Sequence, residues 1–119
     1  MRSKTYLIDI DGTIFEKHGD TASEQWGDTA HLVPGAREFI NKIEKESACI
    51  ILCTARKESH RFETERQLRY FSIPYDQLVM GLTNGERVLV NDGPSSLMMV
   101  NSYETRISTG SWCCDPLQP

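Results

Sequence analysis

Short apolar runs that end in polar residues are the feature that most constrains the fold of this chain. The clearest runs lie at residues 6–8, 49–53, 78–80, 88–90 and 97–100. The run at 49–53, Cys-Ile-Ile-Leu-Cys, is apolar on both faces, which is typical of a buried parallel strand. We therefore predict five strands, the last of them at an edge of the sheet.

Helical patterns separate several of these runs. A first helix is predicted by apolar residues at i, i+3, i+4 and i+7, namely Ala36, Phe39, Ile40 and Ile43. A second helix is predicted over residues 59–71, with an inward stripe of Thr64, Leu68 and Phe71. Strands that alternate with helices predict an α/β fold with a Rossmann-like core, in which helices cover both faces of a mostly parallel sheet.

Length and composition narrow the class of protein. The chain has 119 residues, 39% of them hydrophobic and 25% charged, which is typical of one globular domain. We expect the core to span residues 1–105 and a tail to span 106–119. The net charge of −4 argues mildly against broad binding of nucleic acid. No apolar run approaches the ~20 residues of a membrane span, and no signal peptide precedes the first strand, so we expect no membrane association and a cytoplasmic location. We interpret the four cysteines as thiols.

Polar residues follow three of the predicted strands at the point where each strand ends. They are Asp9, Thr54 and the pair Asn91-Asp92. The carboxyl ends of parallel strands share one edge of a sheet, and ligands bind beyond that edge in open α/β folds. The sequence therefore predicts one site that gathers carboxylates and a hydroxyl.

The segment Asp9-Ile10-Asp11-Gly12-Thr13 carries the strongest chemical signal. Phosphoryl transfer needs a nucleophile, a cation that neutralises phosphate charge and an acid for the leaving oxygen. Asp9 can form an aspartyl-phosphate, and Asp11 can protonate the leaving group and later activate water. Mg²⁺ prefers such oxygen ligands. The competing interpretations are a plain turn and a calcium loop, although a calcium loop would need more acidic ligands within ~12 residues.

This segment resembles the first signature of the haloacid dehalogenase (HAD) superfamily, Asp-x-Asp-Gly-Thr, and the resemblance extends over roughly residues 5 to 100. Thr54, which follows a hydrophobic strand, matches the second signature, and Asp92 matches the fourth. The resemblance implies a phosphatase in which Thr54, with Ala55 and Arg56, binds the transferring phosphoryl group. It also implies that Mg²⁺ is held by Asp9, the backbone carbonyl of Asp11 and Asp92.

A narrower resemblance concerns two groups within that superfamily. The chain is similar to small HAD proteins found with capsule and surface-polysaccharide biosynthesis, and more distantly to the phosphatase part of polynucleotide kinase-phosphatases. The residues that carry this similarity are Thr54-Ala55-Arg56, Thr64, Gln67-Leu68, Ile73-Pro74-Tyr75-Asp76, Leu78 and Met80-Gly81.

Two departures from the superfamily pattern affect the site. The third signature is a Lys or Arg that binds phosphate, and no Lys lies between Lys57 and the C-terminus. Arg87 is the best-placed cation, and Arg56 and Lys57 are its rivals. Asn91 stands where many relatives have a second Asp, which should weaken the affinity for magnesium.

The stretch from 14 to 33 is too short for a folded cap domain, so the site should be open to a large substrate or to closure by a partner subunit in a homo-oligomer. We expect the substrate to be a small phosphorylated metabolite, with a sugar phosphate preferred. A nucleic-acid 3′-phosphatase is the first alternative. A catalytically weak HAD-like binding or regulatory module is the second.

Overall fold

A computed structural model describes residues 4–17, 30–93 and 97–102 of the chain. The elements, in chain order, are strand β1 (Thr5–Asp9), helix α1 (Ala36–Lys45), strand β2 (Cys49–Cys53), a 3₁₀ turn (Glu58–His60), helix α2 (Arg61–Tyr70) and strand β3 (Gln77–Val79). The predicted boundary between core and tail, at 105/106, lies outside the described residues.

The three strands form one parallel sheet in the order β1-β2-β3. Its register places Asp9 beside Cys53, and Cys53 beside Val79, so the three strands end at a common edge. Helix α1 connects β1 to β2, and α2 connects β2 to β3. The predicted α/β class with a parallel sheet is therefore confirmed, and the structure is compatible with a Rossmann-like core.

Helix α1 closes one part of the core with the residues that its periodicity predicts. Ala36, Phe39, Ile40 and Ile43 are all buried. They share a cluster with strand residues that include Ile8, Ile50 and Leu52. Gly35 precedes the helix at φ 93°, a left-handed conformation that strains residues with a side chain, so the tight entry into α1 depends on this glycine.

Helix α2 confirms the second predicted helix, although the residues just before Arg61 form a 3₁₀ turn and not part of the α-helix. Thr64 and Leu68 are fully buried, and Phe71 packs against the core from a partly buried position. Gln67 is buried as well, with 6% of its surface exposed. A buried glutamine on an inward helix face needs a polar partner, and that partner belongs to the site described below.

The predicted strands at 88–90 and 97–100 are wrong, because neither segment is a strand in the structure. Val88 and Val90 are 80% and 88% exposed, and Met99 is 89% exposed. Strand β1 pairs with β2 on one side, and its other edge takes no strand from the described residues. An apolar run becomes a strand only when a neighbouring strand accepts its hydrogen bonds, and within 4–17, 30–93 and 97–102 neither run has such a neighbour.

The chain around Phe15 forms a compact support beside the sheet edge. Phe15 makes isolated bridges to Asp11 and to Leu32. The Val33 N–H donates to the Ile14 carbonyl at 2.8 Å. No large cap is evident in the part of the chain that the structure describes, and residues 18–29 lie outside it.

Two further expectations concern cysteines and membranes. Cys49 and Cys53 are free thiols, as predicted, whereas Cys113 and Cys114 lie beyond the described residues. Among the described helices, none has the length and apolar character that crossing a membrane requires.

Candidate active site

The chain leaves β1 through a tight loop that keeps two carboxylates at one edge of the sheet. The Ile10 carbonyl accepts N–H groups from Thr13, Ile14 and Phe15 at 3.2, 2.9 and 3.1 Å. Gly12 has φ +89°, which favours glycine. Because the loop folds back at once, Asp11 stays beside the end of β1, next to Asp9.

Both carboxylates line an open cleft of about 570 Å³ at this edge. The Thr13 hydroxyl is hydrogen-bonded to the Ser102 hydroxyl at 3.1 Å, which ties residues near 100 to the cleft. The complete lining is Asp9, Asp11, Gly12, Thr13, Glu16, Lys17, Val33, Asn101 and Ser102. Sequence reasoning predicted Asp9 and Asp11 here, but it missed Lys17, Asn101 and Ser102.

Asp11 forms a two-pronged ion pair with Arg56. The Arg56 Nη2 donates to Asp11 Oδ1 at 2.7 Å, and Nε donates to Oδ2 at 2.9 Å. The Arg56 side chain is 1% exposed and that of Asp11 is 15% exposed. This fork geometry fixes the plane of the carboxylate. Asp11 is therefore held in one orientation while part of it still faces the cleft.

The remaining side of the Arg56 guanidinium is bound by α2. Its Nη1 donates to Thr64 Oγ1 at 3.1 Å and to Gln67 Oε1 at 2.8 Å. The guanidinium also lies 5.9 Å from the centre of the Phe15 ring. A buried charge is stable only when its hydrogen bonds are made. Thr64 and Gln67 on the inward face of α2 therefore accept the hydrogen bonds of Arg56, and polar residues on such a face are a sequence signal that could have indicated a buried cation.

Thr54 lies at the end of β2, one residue beyond the register partner of Asp9. Its hydroxyl oxygen accepts the Arg56 backbone N–H at 3.0 Å, and only 1% of the residue is exposed. Its backbone is bound as well, since its N–H donates to Val79 and its carbonyl accepts from Leu82. Ala55, between Thr54 and Arg56, is partly exposed.

The carboxylate of Asp9 lies in an environment that disfavours its negative charge. Partial burial of the carboxylate is the main cause that raises its pKa, although the residue as a whole is exposed, and the negative charge of Asp11 raises the pKa further. The charges of Arg87 and Lys17 lower this pKa, as does a hydrogen bond from the Ile10 N–H. Asp9 is thus the carboxylate that a further cation would stabilise.

The other predicted site residues, Arg87 and Asp92, do not line the cleft that holds Asp9 and Asp11. Arg87 acts on Asp9 through its charge, and its Nη1 donates to the carbonyls of Thr83 and Gly85 at 2.6 and 3.1 Å. Asp92 is exposed. In the described residues, no group of three His, Cys, Asp or Glu side chains is arranged to hold a metal.

The residues at the cleft fit Mg²⁺ through two oxygen groups of the chain. Asp9 offers a carboxylate whose pKa is raised by burial and by the neighbouring charge of Asp11. None of the backbone hydrogen bonds within the described segments ends on the Asp11 carbonyl oxygen. Mg²⁺ keeps several waters and is commonly bound by one or two protein groups together with substrate phosphate. The donor set is consistent with that pattern, and a third ligand from Asp92 stays a prediction.

Comparisons with known proteins give similarity at the level of structure. No protein-family model and no curated protein matches the chain. It is similar to a chain from the structure of the Pnkp1/Rnl/Hen1 RNA repair complex, with 27% identity and a TM-score of 0.57 over 71% of its length. A second structure of the Pnkp1/Rnl/Hen1 complex gives 28% identity and a TM-score of 0.58, again over 71%. The chain spans only 27% and 30% of those two chains.

The ion pair between Arg56 and Asp11 generates a prediction about stability. Arg56→Gln leaves the Asp11 charge without its partner and deprives Thr64 and Gln67 of their donor, so the free energy of unfolding should fall by about 3 kcal/mol. Arg66→Gln is the matched control, because Arg66 is exposed on α2 and forms no ion pair within the described residues. Urea unfolding should show almost no change for this control.

A double variant separates the charge effect from lost packing. Asp11→Asn in the Arg56→Gln background removes the unpaired charge, so it should recover part of the lost stability. Equal unfolding midpoints for Arg56→Gln and Arg66→Gln would show that the buried pair does not have the role assigned to it.

Proposed function

We propose that this chain is a magnesium-dependent phosphatase that hydrolyses a phosphate monoester through an aspartyl-phosphate on Asp9. The observation that carries the proposal is the unequal environment of two adjacent carboxylates on one cleft. Asp11 is fixed by Arg56, whereas no ion pair to Asp9 occurs within the described residues. Carboxylates with different environments are suited to different roles. Asp9 is the exposed nucleophile, and Asp11 is the positioned acid–base.

The reaction proceeds in two steps on the residues of the chain. Asp11 first takes up a proton from solvent. A carboxylate oxygen of Asp9 then attacks phosphorus, the bond from phosphorus to the leaving oxygen breaks, and Asp11 donates its proton to that oxygen. Asp11 then takes a proton from a water that attacks the aspartyl-phosphate, which releases phosphate and restores Asp9. Mg²⁺, when bound by the Asp9 carboxylate and the Asp11 carbonyl, with Asp92 as the remaining predicted ligand, would neutralise the charge of the phosphate.

The other predicted site residues take supporting roles. The Thr54 hydroxyl already accepts a hydrogen bond from the Arg56 backbone, so its own proton can be donated to a phosphoryl oxygen, and Ala55 lies in the same turn. Arg56 acts through Asp11 rather than on the substrate, because its guanidinium is buried against that carboxylate and α2. Arg87 attracts the phosphate through its charge near Asp9.

For the substrate, we propose the 3′-phosphate end of a polynucleotide in preference to a sugar phosphate. The structural neighbours that come from an RNA repair complex support this choice. An open cleft suits the end of a long chain. Arg66 and Arg69 on α2 are exposed and form no ion pair within the described residues, whereas Arg61 is neutralised by Glu58 and Glu65. These two arginines offer charge to a polynucleotide backbone that a sugar phosphate would not use.

The role of Asp9 gives the first functional prediction. Asp9→Asn should lower turnover of p-nitrophenyl phosphate by about 10⁴-fold or more, because the nucleophile is lost. The variant should stay folded, since Asp9 lies at a strand end outside the core, and this is checked by its unfolding midpoint. Glu44→Gln removes an exposed carboxylate on α1 and should keep full turnover. A folded Asp9→Asn protein with wild-type turnover would rule out this mechanism.

The metal gives a separate prediction. Chelation with EDTA should abolish turnover, and excess Mg²⁺ should restore it, whereas Ca²⁺ should substitute poorly because it favours more ligands at longer distances. Mg²⁺ should also raise the midpoint of thermal unfolding, because it binds the folded site and not the unfolded chain. Full turnover after exhaustive chelation would contradict a requirement for metal.

The substrate class is tested by efficiency and by salt. The kcat/KM for a 3′-phosphorylated oligonucleotide should exceed that for each member of a panel of sugar phosphates. Two backbone contacts by Arg66 and Arg69 should make the oligonucleotide value fall roughly sevenfold between about 50 and about 200 mM salt. The double variant Arg66→Gln/Arg69→Gln should flatten this slope and leave the turnover of p-nitrophenyl phosphate unchanged. Higher efficiency on a sugar phosphate, with no salt slope, would favour the metabolite alternative.

A further inference from the structure

The proposed function requires a cation at the cleft that binds the substrate phosphate. Arg56, one of the cations that the sequence suggests for this role, already donates its hydrogen bonds to Asp11, Thr64 and Gln67. Lys57, another choice, is exposed and does not line the cleft. Arg87 influences Asp9, but its guanidinium is bound to carbonyls of its own loop. None of these three side chains lines the cleft that holds the two carboxylates.

Lys17 is the one lysine or arginine that lines this cleft within the described residues. Lys17 follows directly on the loop that contains Phe15 and Glu16. The Glu16 N–H donates to the His31 carbonyl at 2.8 Å and so fixes the backbone next to Lys17. Glu16 lines the same cleft, yet no ion pair joins it to Lys17 in the described segments. Lys17 therefore brings a positive charge to the cleft that Asp9 and Asp11 also line.

The position of the Lys17 stem depends on Gly12. A Cβ atom built on Gly12 would lie 3.3 Å from Lys17 Cε and 3.7 Å from Cδ and Cγ. The lysine side chain thus crosses directly over the glycine, in space that any other residue would partly fill. Gly12 serves two purposes, because it allows the left-handed turn after Asp11 and leaves room for the aliphatic part of Lys17 to lie against the loop.

The charge of Lys17 reaches the nucleophile, since it is one of the groups that lower the pKa of Asp9. A phosphate dianion that approaches the Asp9 carboxylate is repelled by it, and an ammonium group beside that carboxylate reduces the repulsion. Lysine is suited to this role because its compact charge carries three donors on a flexible stem.

We propose that Lys17 is the residue that binds the phosphate group of the substrate in this cleft, in place of the lysine that the third signature would supply. The proposal deepens the proposed function and rests on it. Lys17 donates to non-bridging oxygens of the phosphate, while Arg87 contributes charge at longer range. The side chain acts mainly on binding, so its loss should raise KM more than it lowers kcat.

The variants that test this role are Lys17→Gln, Lys17→Arg and Lys45→Gln. Lys17→Gln should lower kcat/KM for p-nitrophenyl phosphate by ~10–100-fold, the range for one charged hydrogen bond. It should also raise the inhibition constant of inorganic phosphate by a similar factor. Lys17→Arg should recover much of both. Lys45→Gln removes an exposed lysine at the end of α1 and should match the wild type.

A binding measurement decides the proposal without turnover. Inorganic phosphate, added with Mg²⁺, should raise the thermal unfolding midpoint of the wild type and of Lys45→Gln, and it should have little effect on Lys17→Gln. An equal shift in Lys17→Gln, or the absence of a shift in the wild type, would overturn the role of Lys17. A loss confined to Arg87→Gln would also overturn it, by moving the role to Arg87. Absence of wild-type turnover would instead refute the phosphatase, while the phosphate shift would still decide on Lys17.

Discussion

The buried ion pair between Arg56 and Asp11 is the interaction on which the rest of the site depends. A guanidinium that is 1% exposed is stable only if its N–H groups are satisfied, and here Asp11, Thr64 and Gln67 accept them. Asp11 belongs to the loop after β1, Arg56 follows β2, and the two acceptors lie on α2. One side chain therefore connects three parts of the fold at the edge where the strands end.

This connection explains how two carboxylates so close in sequence come to differ. Asp11 is held in one orientation by two hydrogen bonds from Arg56. Asp9, at the end of β1, has a carboxylate whose pKa is raised by burial and by the charge of Asp11. The proposed division into a nucleophile and a positioned acid–base follows from that difference. Gly12 contributes by turning the chain after Asp11 and by leaving space for the stem of Lys17.

Periodicity predicted the elements whose side chains are buried, and it was wrong where burial does not follow. The apolar faces of α1 and α2 and the strands that end at Asp9 and Cys53 agree with the sequence, because their patterns record packing against a core. The run Val88-Leu89-Val90 is equally apolar, but it is exposed. The apolar character of a segment does not reveal whether another strand pairs with it. Lys17 and Ser102 were missed because loop closure, and not spacing, brings them to the cleft.

The central claim, a covalent intermediate on Asp9, is tested most directly by isolating that intermediate. The protein would be mixed with p-nitrophenyl phosphate and Mg²⁺, quenched rapidly in acid, digested and analysed by mass spectrometry, with Asp9→Asn as the control. We predict a phosphoryl group on the peptide that contains Asp9, with more of it in Asp11→Asn because water activation is slowed, and none in Asp9→Asn. Substrate turnover with no phosphorylated peptide in either the wild type or Asp11→Asn, or phosphorylation at a residue other than Asp9, would contradict the mechanism.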